Sequence, residues 1–140
     1  MKKIYINLEN VAGSSLIEKK SFLENRKKYD KIENIKVVNL DNFLRKEKKI
    51  DFIKIDVEGF EFQVLKGIKN ILKIKKPKMV IEFSSYIYEK EYRGLSKQII
   101  NFLFGFYKYI EIIENKKIYK SARPLLKDAL GKQLNFFCYN

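Results

Sequence analysis

The sequence predicts an α/β fold, a layered structure with an open, mostly parallel sheet and an antiparallel C-terminal strand. Three observations predict it. Two apolar, β-branched runs at 50–57 and 78–83 flank a stretch of helical periodicity, all within about 35 residues, the size of one right-handed βαβ crossover. A second helical pattern and a further strand candidate follow, so the alternation continues. The final run, "LNFFCYN", is separated from its predecessor by too few residues for another long helix, which makes the last pairing antiparallel.

Taken in order, residues 3–8 alternate as a short strand, and "NVAGSSL" (10–16) carries the Asn, Gly and Ser of a turn. Residues 17–34 are charged and poorly periodic. "IKVVNL" (35–40) reads as a second strand, with Asp41 as N-cap of a short helix holding Phe43 and Leu44. In "IDFIKIDV" (50–57) apolar residues fill Ile50, Phe52, Ile53, Ile55 and Val57, the pattern of a strand covered on both faces. From Phe60 the period lengthens through Val64, Ile68 and Ile71/Leu72, and lysines gather at 69, 73, 75 and 76, where they suit the helix dipole. Pro77 ends that helix, and "KMVIEF" (78–83) is the next strand. Leu95, Ile99, Phe102, Leu103 and Phe106 mark an amphipathic helix, "YKYIEII" (107–113) a strand, and "ENKK" a turn.

At 140 residues the chain fits one domain with a core of its own. With 46% hydrophobic and 34% charged residues and no run near the ~20 apolar positions of a membrane span, it reads as a soluble globular protein. "MKKIYINLEN" lacks the long apolar stretch of a secretory signal, which points to the cytoplasm. There is no histidine, and the single cysteine is Cys138, expected as a small buried hydrophobe. Disulfides, Cys/His zinc sites and Ser-His or Cys-His catalysis within one chain are thereby excluded. The Tyr and Phe residues after 83 are expected in the core and on the sheet face. The net charge is +13, but arginine stands only at 26, 45, 93 and 123. A lysine excess without the arginine fork that suits phosphates and base edges argues against a nucleic-acid partner.

Ligands of open α/β sheets bind at the carboxyl ends of strands, where Asp56 and Glu58 sit. Alternation puts Lys54 and Asp56 on one side, with Cα atoms ~6.6 Å apart, so the lysine can keep the aspartate ionised. Gly59 permits a sharp turn, Glu61 falls in the first helical turn, and Glu82 lies near the end of the next strand. Up to four carboxylates converge at one rim in this reading. Such a cluster could hold a metal, act as a base toward a hydroxyl, or place a cationic cofactor. An equally open reading has Glu58 and Glu61 serve only the helix N-terminus, worth ~0.3–1 kcal/mol, with Lys54–Asp56 a structural pair.

The segment "VVNLDNFL…IDFIKIDVEGFEFQVLKGIKNIL…KPKMVIEF" (37–83) closely resembles the second half of FkbM-type S-adenosylmethionine-dependent methyltransferases. The resemblance rests on Leu40-Asp41 before a short helix, on the strand end Lys54–Glu61, on Leu65–Gly67, and on the apolar strand ending at Glu82-Phe83. "NVAGSSL" and "LNFFCYN" are similar to the family's preceding loop and last strand. The resemblance implies a Rossmann-like class I methyltransferase fold and S-adenosylmethionine as methyl donor. The implied acceptor is a small-molecule or glycan hydroxyl. It also implies that Asp56 sits beside donor and acceptor, supported by Glu58 and Lys54, with no metal assigned.

One departure stands out. The family's glycine-rich loop is missing: the glycines at 13, 59, 67, 94, 105 and 131 include no G-x-G, and nothing before residue 50 reads as strand, glycine turn and helix. The chain therefore reads as a single FkbM-like domain over 1–140, shortened at its N-terminus, with Asp56 alone as a candidate cofactor contact. In the family's fold the strand at 50–57 pairs with a strand of the missing half, so its edge should be open to self-association or to a partner chain. The alternatives to an enzyme are a catalytically inactive remnant and a basic module binding acidic polymers.

Overall fold

The computed structural model describes residues 1–6, 8, 14–16 and 30–140. Its main sheet has five strands in the order β3 (Phe52–Ile55), β4 (Lys78–Ser84), β7 (Gln133–Tyr139), β5 (Tyr109–Ile112) and β6 (Lys117–Tyr119). Between β3 and β4 the chain forms α2 (Glu61–Gly67) and α3 (Lys69–Lys75), and the two strands pair in parallel from Phe52↔Lys78 to Ile55↔Ile81. This is the predicted crossover. The other pairings, β4 with β7, β7 with β5 and β5 with β6, are antiparallel, so the expectation of a mostly parallel sheet is corrected to a mixed one. The cause is where the last strand goes. The chain leaves β4 through α4 (Ser85–Glu91) and α5 (Leu95–Phe104) and returns as β5 one strand-width too far for direct pairing, and β7 fills that gap from the opposite direction. The antiparallel final strand is as expected. The stretch before it nonetheless holds β6 and a further helix, α6 (Ala122–Ala129), neither anticipated.

The first strand, β1 (Lys2–Ile6), pairs with β2 (Lys31–Ile35) as a separate antiparallel ribbon, running from Lys2↔Ile35 to Ile6↔Lys31. The second strand expected at 35–40 is thus displaced toward the N-terminus, because pairing with β1 recruits 31–35 instead. Val37 and Val38 are left 45% exposed. Of the predicted turn at 10–16, Ser15 exchanges backbone hydrogen bonds of 2.9 and 3.0 Å with Tyr5, whereas residues 10–13 lie outside the described residues, as does most of 17–34.

Asp41 is not the cap of its own helix. Asn39 caps α1 (Leu40–Phe43) by accepting from Asn42 N–H, while the Asp41 carboxylate accepts from the N–H groups of Asn70 and Ile71 at 3.0 and 2.9 Å, capping α3. The single helix expected from Phe60 breaks at Ile68 (φ −119°, ψ 15°) and ends in a left-handed Lys76 before Pro77. β3 is covered on one face only: Ile55 is buried and Ile53 half-buried, but Phe52 and Lys54 are exposed. Its place at the sheet edge is the reason. Among the core residues Phe83 stacks on Phe136 at 4.6 Å between ring centroids and meets Tyr88 edge-on at 5.3 Å. Cys138 is a buried free thiol whose pKa burial pushes up, in line with the small-hydrophobe reading. Among the described residues no helix is long and apolar enough to cross a membrane.

Candidate functional site

The site forms where β3 ends. After buried Ile55 the chain passes through Asp56 and Val57 and then takes two left-handed residues in succession, Glu58 (φ 51°) and Gly59 (φ 98°), which turn it into α2. Glycine adopts this conformation freely, whereas Glu58 is held in it by its surroundings. Glu58 C=O accepts from Ser15 Oγ at 2.7 Å, tying the turn to the segment beside β1.

Glu61 clamps the same turn from inside. It is 1% exposed, its Oε1 accepts from Gly59 N–H at 3.0 Å and Val57 N–H at 3.2 Å, and its Oε2 accepts from the Tyr88 hydroxyl at 2.8 Å. Burial and this carboxylate hold the Tyr88 phenol far above its ordinary pKa. The expectation of four carboxylates at the rim is therefore corrected to three, because Glu61 points into the fold and serves the loop.

The other three do come together. Carboxylate oxygens of Asp56, Glu58 and Glu82 lie within 4.8 Å of one another. Lys54 Nζ sits 2.7 Å from Asp56 Oδ2, as the strand alternation predicts, and the aspartate raises the pKa of the exposed ammonium. Glu82, on β4, has Oε1 hydrogen-bonded to Gln133 Nε2 at 2.6 Å, and its Oε2 is buried without a partner among the described residues. Burial, and then the charges of Asp56, Glu58 and Glu61, raise the Glu82 pKa, against the opposing pull of Gln133. Tyr86 donates its hydroxyl to Gln133 Oε1 at 3.2 Å, and its phenol pKa is raised by burial and by Glu58 and Glu82.

A cavity of about 460 Å³ opens on this rim, lined by Asp56, Val57, Glu58 and Glu82 from the sheet end and by Ile4, Ser14, Ser15, Leu16 and Ile35 from the β1–β2 side. Two parallel strands thus present carboxylates at their carboxyl ends to an open cavity whose far wall mixes Ile4, Leu16 and Ile35 with Ser14 and Ser15. Three carboxylates against one ammonium draw positive charge, and their lone pairs accept from hydroxyls. Gln133 and Tyr86 escape sequence reasoning, since nothing local signals that the last strand will lie beside β4.

A family model described as the methyltransferase FkbM domain matches residues 4–116. No curated protein and no solved structure gives a significant match. The matched span includes the end of β1, all of β2, the crossover and the whole carboxylate rim, so the site stands where the family's sequence pattern is held in common. The chain belongs to the FkbM methyltransferase domain family.

Proposed function

We infer that this chain serves transfer of a methyl group from S-adenosylmethionine to a hydroxyl of a small-molecule or glycan acceptor, with donor and acceptor meeting at the Asp56–Glu58–Glu82 rim. The observation that carries this reading is the convergence of three carboxylates within 4.8 Å on a cavity at the ends of parallel strands, in a chain whose net charge is +13. An acidic pocket in a basic protein is a local device, fitted to a cationic or hydroxylic guest.

When bound, S-adenosylmethionine supplies a methyl group made electrophilic by a sulfonium. The carboxylates fit that positive charge, and Asp56 is the residue best placed to face it. Lys54 pairs with Asp56 and fixes its orientation, and Glu58 adds negative charge from a turn fixed by Glu61 and Ser15. Positioning does most of the work in an in-line displacement, so a rigid rim is the main requirement. The β3–β4 crossover, with β7 reversed between β4 and β5, supports a Rossmann-like class I arrangement as the frame. In this reading the open edge of β3 is where further strands complete the donor site, from a second copy or a partner chain.

Calorimetric titration of S-adenosylmethionine into the purified chain, with mass measured by light scattering, tests the proposal. Micromolar binding that weakens at least ~10-fold in Asp56→Asn is expected, the size of one lost charge-assisted contact. A folded protein that binds no donor would instead mark an inactive remnant of the family.

A further inference from the structure

Away from the carboxylate rim, α5 and α6 part far enough to leave a second cavity, of about 310 Å³. Its lining follows from the helical repeat. Lys97, Ile100 and Asn101 stand within about one turn of α5, and Ala122, Arg123 and Leu126 within about one turn of α6. The helices are sealed beneath it, where Ile99, Leu103, Leu125 and Ala129 are buried in the core. Half-buried Ala122 and Leu126 therefore form an apolar floor over buried Ile100, and the exposed heads of Lys97, Asn101 and Arg123 stand at the mouth. No carboxylate lines this cavity, and none pairs with Lys97 or Arg123 among the described residues. The acid of α6, Asp128, is taken by Lys117 and the Tyr119 hydroxyl. Lysines are plentiful in this chain, but Arg123 is one of only four arginines, and its planar fork matches a carboxylate bidentately. Two cations and an amide without partners, over an apolar floor, complement a guest with one anionic end and one apolar end.

We propose that the cavity between α5 and α6 binds a small apolar carboxylic acid in its ionised form. The Arg123 guanidinium receives the carboxylate, Lys97 adds a second positive charge, the Asn101 amide donates to it, and the hydrocarbon lies on Leu126 and Ala122. Ligand pockets run from about 300 to 1,000 Å³, so a cavity at the lower bound selects a short chain or a single ring. The site stands apart from the Asp56–Glu58–Glu82 rim and does not depend on the methyl-transfer reading.

The experiment is a titration of octanoate into the full chain, followed by amide shifts in NMR, with acetate and octanol as probes of the charged head and the apolar body alone. Saturable shifts confined to α5 and the start of α6 are expected with octanoate, and affinities at least about tenfold weaker with either half of the molecule. Arg123→Leu, which keeps an apolar stem, should weaken octanoate at least about tenfold and Lys97→Met about threefold, while Ala122→Leu, which fills the floor without touching a charge, should weaken it at least about tenfold. Lys97 and Arg123 are exposed, so their replacement leaves the core intact, and unaltered circular dichroism confirms that each variant is folded. Octanoate that causes no saturable shift in wild type, that is matched by acetate or by octanol, or that binds Arg123→Leu and Ala122→Leu as tightly as wild type overturns the proposal. Shifts centred on Asp56, Glu58 and Glu82 instead of on α5 and α6 overturn it equally.

Discussion

Glu61 and Glu82 show how alike residues in one motif take different work. Both are acidic and near strand ends, yet Glu61 accepts three hydrogen bonds inside the fold and Glu82 keeps an oxygen unmatched beside the cavity. Replacing Glu61 by Ala strands two backbone N–H groups and the Tyr88 hydroxyl, and should cost about 3 kcal/mol or more in urea denaturation. Glu61→Gln, which keeps one acceptor oxygen for the two backbone N–H groups, should lose about half of that. For Glu82 the direction reverses. Its folded pKa lies above the ordinary 4.5, so the folded state binds the proton more tightly. The resulting stabilisation is present below pH 4.5 and is lost as pH rises through the folded pKa. Glu82→Gln should therefore be more stable than wild type near neutral pH, by at most ~1 kcal/mol after solvent screening, with the difference vanishing in acid. Denaturant midpoints measured across that range check the sign. That Lys54 meets Asp56 was legible from strand alternation, whereas the inward turn of Glu61 was not, because its partner Tyr88 lies on α4, outside the crossover.

Among the elements, the crossover was readable because β-branched runs, a lengthened period and Pro77 agree with one another. Its interior was less so. The break at Ile68 lets α3 start anew, and Asp41, 29 residues before Asn70, supplies the cap that α3 lacks in its own sequence. An N-terminal helix cap is worth about 1 kcal/mol, so Asp41→Ala should destabilise by roughly that amount while Asp41→Asn keeps most of the stability. Amide exchange at Asn70 and Ile71 is the direct probe, and protection unchanged in Asp41→Ala would show the cap to be idle. The second strand moved for a similar reason. Residues 35–40 are apolar enough for a strand, but β1 pairs with 31–35, and hydrogen-bonding partners outweigh local pattern in a two-stranded ribbon.

For the molecule as a whole, the edge of β3 matters most. Phe52 is 53% exposed on a strand with one paired neighbour, β4, among the described residues, and the single charge within that strand is Lys54. Such an edge favours pairing with another chain. Mass by light scattering should rise with concentration, and Phe52→Lys should raise the concentration needed by ~10-fold or more. A wild-type mass that stays at one chain through the same range would count against an open edge.

Sequence by itself determined the parallel unit 50–83, the carboxylates at its rim, the family, and the absence of histidine chemistry, because each is written in contiguous residues. Only tertiary structure decided that β7 enters between β4 and β5, and with it that Gln133 holds Glu82 and that Tyr86 joins them. Strand order is a contest between distant segments for the same backbone hydrogen bonds. No local period records its outcome.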